Sequence, residues 1–128
     1  MTMACVVLAQ VAGLLLFNAE VARDLQQVVG APRVFVGAQA TGDSGPVAWT
    51  TCVRESGVLV TQVSARIEEL DERTVRHVAA HEVCHALLHK RTLCSGEFAT
   101  MPSEMRDHVK RHMEVEAERC AVDMEARR

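Results

Sequence analysis

Three residues near the middle of the chain, His81, Glu82 and His85, have the types and the spacing of a hydrolytic metal site. Residues four apart on an α-helix project from nearly the same face, so the two imidazoles can bind one metal ion. Glu82 directly follows the first histidine, and its carboxylate can reach a water on the metal without taking a coordination position. The pattern therefore predicts Zn2+ as the cofactor and Glu82 as the catalytic base.

A catalytic zinc ion needs a third protein ligand and one open coordination position. Four residues downstream have suitable side chains: Glu114, Glu118, His108 and His112. Glu114 and Glu118 are one helical turn apart, so both can face the same partner helix. The residue types alone leave the choice open, and His112 is the main rival of Glu114.

The histidine pair requires a helix, and the surrounding sequence has the pattern of one. Apolar side chains recur at three- and four-residue spacing, no Pro or Gly interrupts residues 67–92, and Asp71 is a suitable N-cap. A last helix is predicted from near Pro102 towards Arg128. Its apolar stripe, spaced to pack on the histidine helix, consists of Met105, Val109, Met113, Ala117, Cys120, Ala121 and Met124. An alternative is a core helix whose histidines are only hydrogen-bonded or solvated.

The first half of the chain predicts the remaining elements of an α+β domain that spans residues 1–128. Residues 33–36, 47–53 and 57–63 are short β-branched runs between turn-rich stretches, which predicts a small three-stranded sheet whose last two strands form a hairpin. The apolar run at residues 4–17 is too short to span a membrane and predicts an N-terminal helix that ends at Gly30-Ala31-Pro32. The alternative is that residues 1–22 are a signal peptide of a secreted protein.

Charge and aromatic content argue against nucleic acid as a partner. The net charge is -3, and the chain has three Phe, one Trp and no Tyr. Neither a basic surface nor a set of base-stacking side chains is therefore expected. No membrane association is expected either, and the oligomeric state is left open.

The five cysteines are an odd number at irregular spacings. This count predicts reduced thiols and a cytoplasmic protein, with a single Cys94–Cys120 bridge as an open alternative. Cys84, in the middle of the histidine helix, is expected to face the core as a small apolar side chain.

Two segments resemble a known family. The sequence HEVCHALLH at residues 81–89 and the sequence EVEAERCA at residues 114–121 are similar to the motifs of the ImmA/IrrE metallopeptidases, gluzincin-like members of the HExxH zincins. The resemblance covers residues 58–123. It implies a minimal zincin-like domain in which Glu114 is the third zinc ligand and Glu118 hydrogen-bonds a ligand histidine.

The function predicted from the site and the resemblance is a zinc-dependent metallopeptidase, a hydrolase that cleaves peptide bonds of a protein substrate. The resemblance implies a substrate such as a transcriptional repressor. An extended substrate could add to an exposed strand edge of the hairpin. Because the chain has no Tyr, His77, His89 or His108 would have to stabilise the oxyanion, although solvated or supporting roles suit these histidines better. The alternative function is a non-catalytic interaction or structural protein in which a fourth ligand, His112 or Cys84, closes the zinc site.

Overall fold

The computed structural model describes the backbone of residues 2–25, 33–36, 46–53 and 55–128, and the side chains of residues 12–25, 46–53 and 55–128. The elements follow in the order α1 (Thr2–Leu25), β1 (Arg33–Val36), β2 (Ala48–Val53), β3 (Val58–Val63), a 3₁₀ helix (Ala65–Glu69), α2 (Glu72–Leu93), α3 (Gly96–Thr100) and α4 (Ser103–Ala126). The predicted α+β class is confirmed. The predicted end of the first helix and the turn at residues 41–45 lie outside the described residues.

The sheet has the strand order β1-β3-β2. β2 and β3 are antiparallel, with Ala48 opposite Val63, and β1 runs parallel to β3. Gly57 closes the β2–β3 turn at a φ of 68°, a left-handed conformation that suits glycine. Because β3 is central, β2 has a free edge among the described residues.

The main core lies between α1, the sheet and α2. α1 contributes Phe17, Val21 and Leu25, all of which are buried. They pack with buried residues of the other elements: Leu59, Val63, Ile67, Val75, Ala79 and Val83. Burying an apolar side chain of this size contributes about 1.5–3 kcal/mol. The core therefore holds one face of α2 in a fixed position against α1 and the sheet.

A second, smaller core joins α2 to α4. Ala80 and Cys84 of α2 pack against Ala117 and Ala121 of α4, and all four are fully buried. Small side chains on both helices allow the two backbones to approach closely. Met113 is also buried, but Met105, predicted to belong to the same stripe, is largely exposed. The stripe is shorter than predicted because the N-terminal turn of α4 does not pack on α2 in this way.

The prediction of reduced thiols is wrong. Disulfides join Cys52 to Cys94 and Cys84 to Cys120, with Cα–Cα distances of 5.2 and 6.0 Å. Cys94 and Cys120 therefore have other partners, and Cys84 is buried as expected but is not a thiol. Helical periodicity could not reveal these pairs, since each joins elements that meet only in the folded chain. Disulfides persist in oxidising compartments, so the cysteines no longer support the cytoplasmic prediction.

No helix within the described ranges combines the length and the apolar character needed to cross a bilayer.

Candidate metal centre

Three side chains from two helices meet at the surface between α2 and α4. His81 and His85 of α2 and Glu114 of α4 have ligand atoms that lie within 4.8 Å of one another. One carboxylate oxygen of Glu114 is 2.8 Å from His81 Nε2, and the other is 2.9 Å from His85 Nε2. The group could hold a metal ion.

The donor set and its spacing fit zinc. Two imidazoles and one carboxylate are the ligands of many catalytic zinc sites, and ligands at about 2.0–2.1 Å in a tetrahedron are roughly 3.3 Å apart. The two nitrogen-to-oxygen distances involving Glu114 are about half an ångström shorter than that spacing. A small displacement of the Glu114 side chain, which is 61% exposed, would therefore accommodate the ion.

The helix packing explains why Glu114 reaches the histidines. The small-residue contact of Ala80 and Cys84 with Ala117 and Ala121 brings α4 close to α2. The Cys84–Cys120 disulfide links the same two helices within one residue of His85. The position of the third ligand candidate is therefore set by packing and a covalent link rather than by its own exposed side chain.

Glu114 approaches the two histidines from α4, whereas Glu82 faces the sheet. Glu82 is 4% exposed, and its carboxylate accepts a hydrogen bond of 2.8 Å from the Thr50 hydroxyl of β2. Thr50 in turn is 2.9 Å from the Thr61 hydroxyl of β3. Paired strands thus fix one oxygen of Glu82, a residue that lines the neighbouring cleft.

Burial, together with the charge of Glu114, raises the pKa of Glu82 to about 7. The hydrogen bond from Thr50 and the charge of His81 oppose this shift. A carboxyl group with a pKa near neutrality can both accept and return a proton at physiological pH. Burial also lowers the pKa of His85, although the neighbouring Glu114 carboxylate opposes this shift. A neutral imidazole is the form that binds a metal ion.

A chain of hydrogen bonds extends from His81 to the C-terminal half of α4. His81 Nδ1 is 3.1 Å from Glu118 Oε1, the contact that the resemblance implies for Glu118. Glu118 also contacts His77 Nε2 at 2.8 Å, and His77 Nδ1 is 3.1 Å from Glu125. Burial lowers the pKa of His77, but the hydrogen bonds to Glu118 and Glu125 outweigh burial and raise this pKa overall. Burial raises the pKa of Glu118, but the hydrogen bonds from His77 and His81 lower it overall.

A second chain extends from His85 along α2. His85 Nδ1 is 3.1 Å from His89 Nδ1, and His89 Nε2 is 3.0 Å from Glu116 of α4. His89 is buried, with an exposed fraction of 4%. The sequence indicated a solvated or supporting role for His89, and the structure places it against a ligand candidate rather than in water.

The rival ligands lie elsewhere. His108 and His112 are exposed on α4, with ring centroids 4.6 Å apart, and the metal-binding group found among the described residues contains neither. The Cys84 sulfur is bonded to Cys120 and is not a thiolate ligand. The described residues thus bring together three candidate ligands, and neither of the two predicted fourth ligands joins them.

A cleft of about 1000 Å³ opens above the group. One wall is the β2 strand, from Ala48 to Cys52, and the opposite wall is α4, including Met113, Glu114 and Glu118. The floor carries His81, Glu82 and His85. The cleft therefore brings the candidate ligands, Glu82 and the β2 strand to one shared space.

In comparisons with known proteins, no family model, curated protein or solved structure matches the chain.

Sequence reasoning missed several residues of the site. Thr50, which holds Glu82, and Glu116, which contacts His89, are not among the candidate residues predicted from the sequence. Arg106 and Lys110 line the cleft and were likewise not predicted as residues of the site. A signal for Glu116 was present in the sequence. Glutamates occupy every second position from 114 to 118, and histidines occupy every fourth position from 77 to 89.

Proposed function

We propose that the protein is a zinc-dependent metallopeptidase that hydrolyses peptide bonds. The observation that supports this most strongly is the convergence of His81, His85 and Glu114 within 4.8 Å, with the buried Glu82 carboxylate lining the same cleft. His81, His85 and Glu114 would hold the ion. When bound, zinc supplies Lewis acidity towards a carbonyl oxygen and lowers the pKa of water from 15.7 to about 7.

Glu82 is the proton carrier of the proposed reaction. Thr50 holds one carboxylate oxygen, so the group keeps a fixed direction while the second oxygen accepts the proton of the attacking water. The same carboxyl group then returns the proton to the leaving amine. Burial raises the pKa of this carboxyl group in the metal-free protein, which favours its acceptance of a proton.

The free edge of β2 supports a peptide as the substrate. β2 pairs with β3 on one side only among the described residues, and it forms a wall of the cleft. An extended chain can add to such an edge through main-chain hydrogen bonds, which do not depend on its sequence. Because the two disulfides favour an oxidising compartment, the proposal specifies a peptide chain rather than the repressor that the resemblance implies.

The non-catalytic alternative requires a fourth protein ligand that closes the metal site. The two candidates for that role are Cys84, which is in a disulfide, and His112, which is outside the group. This arrangement favours an open coordination position, and therefore the peptidase.

The test is the replacement Glu82→Gln in the full chain, with unfolded casein and a mixed peptide library as substrates. We expect the variant to bind one equivalent of zinc like the unmodified protein, while hydrolysis falls roughly 10²- to 10⁴-fold. Glu72→Gln is the matched control, because Glu72 is an acid in the first turn of the same helix that pairs with Arg76 far from the proton transfer. Zinc binding without any zinc-dependent hydrolysis by the unmodified protein would overturn the peptidase proposal and favour the structural alternative.

A further inference from the structure

The two ligand histidines differ in the group that occupies the second ring nitrogen. An imidazole that binds a metal through one nitrogen carries its proton on the other, and the partner of that N–H fixes the orientation and the tautomer of the ring. For His81 the partner is the Glu118 carboxylate. For His85 the partner is another imidazole, that of His89, at 3.1 Å.

The direction of each hydrogen bond in the second chain follows from the chemistry of the groups. If Nε2 of His85 binds the ion, Nδ1 of His85 carries the proton, and this N–H donates a hydrogen bond to Nδ1 of His89. Nε2 of His89 must then carry the other proton, and it donates to the Glu116 carboxylate at 3.0 Å. An acid at the far end thus selects the His89 tautomer that can accept from His85.

We propose that His89, with Glu116 behind it, is a positioning residue that fixes the tautomer and the ring orientation of the metal ligand His85. The inference rests on the proposed metal site. It is supported by the contact geometry and by burial, because His89 and His85 are 4% and 6% exposed and water has little access to replace either partner. A buried imidazole without its acceptor would leave the N–H of His85 unpaired.

The residues around His89 leave no competing partner for this role among the described contacts of its ring. Its two nitrogens are used by His85 and Glu116. His89 does not line the cleft, which separates a positioning role from contact with the substrate.

The first measurement is zinc affinity, determined by competition with a chromophoric chelator. We expect His89→Leu, which preserves bulk but offers no acceptor, to weaken zinc binding roughly 10- to 100-fold, the usual effect of losing the partner of a ligand histidine. His89→Gln should recover most of the affinity, because its amide oxygen can accept from His85 and its amide nitrogen can donate to Glu116. His112→Leu, a histidine replacement at an exposed position of α4 outside the group, should leave the affinity unchanged.

The second measurement does not depend on any variant. Long-range ¹H–¹⁵N correlation spectra of the zinc-loaded unmodified protein should show the proton of His85 on Nδ1 and that of His89 on Nε2. A proton on Nδ1 of His89, or equal zinc affinities of the unmodified and His89→Leu proteins, would overturn the inference while leaving the metal site intact. A failure of the unmodified protein to bind zinc would instead overturn the proposed function together with the inference.

Discussion

His81 and His85 are one turn apart on the same helix and contact the same carboxylate, yet their surroundings differ. Beyond His81 lie Glu118 and His77, a carboxylate whose side chain is 50% exposed and a histidine open to water on one side. Beyond His85 lies His89, which is buried. The direct partner of His81 is thus an exposed carboxylate that water can screen, whereas the direct partner of His85 is a buried imidazole, and the carboxylate of that chain, Glu116, lies one step further out with its side chain 60% exposed.

This difference predicts unequal contributions to the metal site. Charge-assisted hydrogen bonds are intrinsically stronger, but solvent can replace a partner that is exposed. A buried N–H that loses its acceptor has no replacement and bears the full desolvation penalty. We therefore expect the inner chain at His85 to matter more for zinc affinity than the outer chain at His81.

The largest effect is expected where the two chains meet. Glu114 is the only carboxylate in the candidate group found among the described residues, and it contacts both histidines. Glu114→Ala should reduce zinc affinity by more than the roughly 10- to 100-fold expected for an outer partner, because a ligand itself is lost. Isothermal titration of the metal-free protein measures this change. If His112→Ala abolished binding while Glu114→Ala did not, the assignment of the third ligand would be reversed.

The two disulfides provide the next comparison, because their loops are similar in length, with sequence separations of 36 and 42 residues. Replacement of either pair by alanine should lower the free energy of unfolding by about 2–4 kcal/mol. Only the Cys84–Cys120 pair links the two helices that carry the ligand candidates, so only its loss should also weaken zinc binding at temperatures where both variants are folded. Equal zinc affinities in the two double variants would contradict this role for the Cys84–Cys120 bridge.

A smaller effect is expected at Glu118. Glu118→Ala removes the partner of His81 Nδ1, but its exposed position allows water to take its place. Zinc affinity measured by chelator competition should fall less than about tenfold, at or below the lower end of the range for such partners. A loss that exceeds the one caused by His89→Leu would invert the proposed order of the two chains.

The smallest effect is a pH dependence of the outer chain in the metal-free protein. The pKa of His77 is raised above 6.5, so its stabilising contribution is complete below 6.5 and is lost as the pH rises through the folded-state value. The pKa of Glu118 is lowered below 4.5, so its contribution is present above 4.5 and is lost as the pH falls through its own folded-state value. Urea unfolding should therefore show His77→Gln to be more destabilising at pH 5.5 than at pH 8.5. A difference of the opposite sign would contradict the charged pairing of His77 with Glu118 and Glu125.

The sequence was most informative where one helix carries the signal. The spacing of His81 and His85 was sufficient to predict that the two imidazoles share a helical face, and Asp71 caps that helix through Thr74 N as expected. The α+β class followed in the same way from the change in hydrophobic period. Such patterns are local, so one sequence is enough to read them.

Contacts between elements were much less predictable. Pairing of the cysteines depends on how α2 meets α4 and β2, and no spacing within the chain encodes it. Thr50 contacts Glu82 because the sheet packs against α2. Glu116 contacts His89, although helical spacing separates its side chain from that of Glu114. The resemblance pointed to Glu114, but the residue types alone did not distinguish it from His112.

X-ray absorption spectroscopy of the zinc-loaded full chain, combined with the zinc content per chain, tests the central claim most directly. We predict one zinc ion per chain with two imidazole nitrogens at about 2.0–2.1 Å, a carboxylate oxygen and a further oxygen from solvent. A sulfur ligand near 2.3 Å, four protein ligands with no solvent oxygen, or a chain that binds no zinc would contradict it.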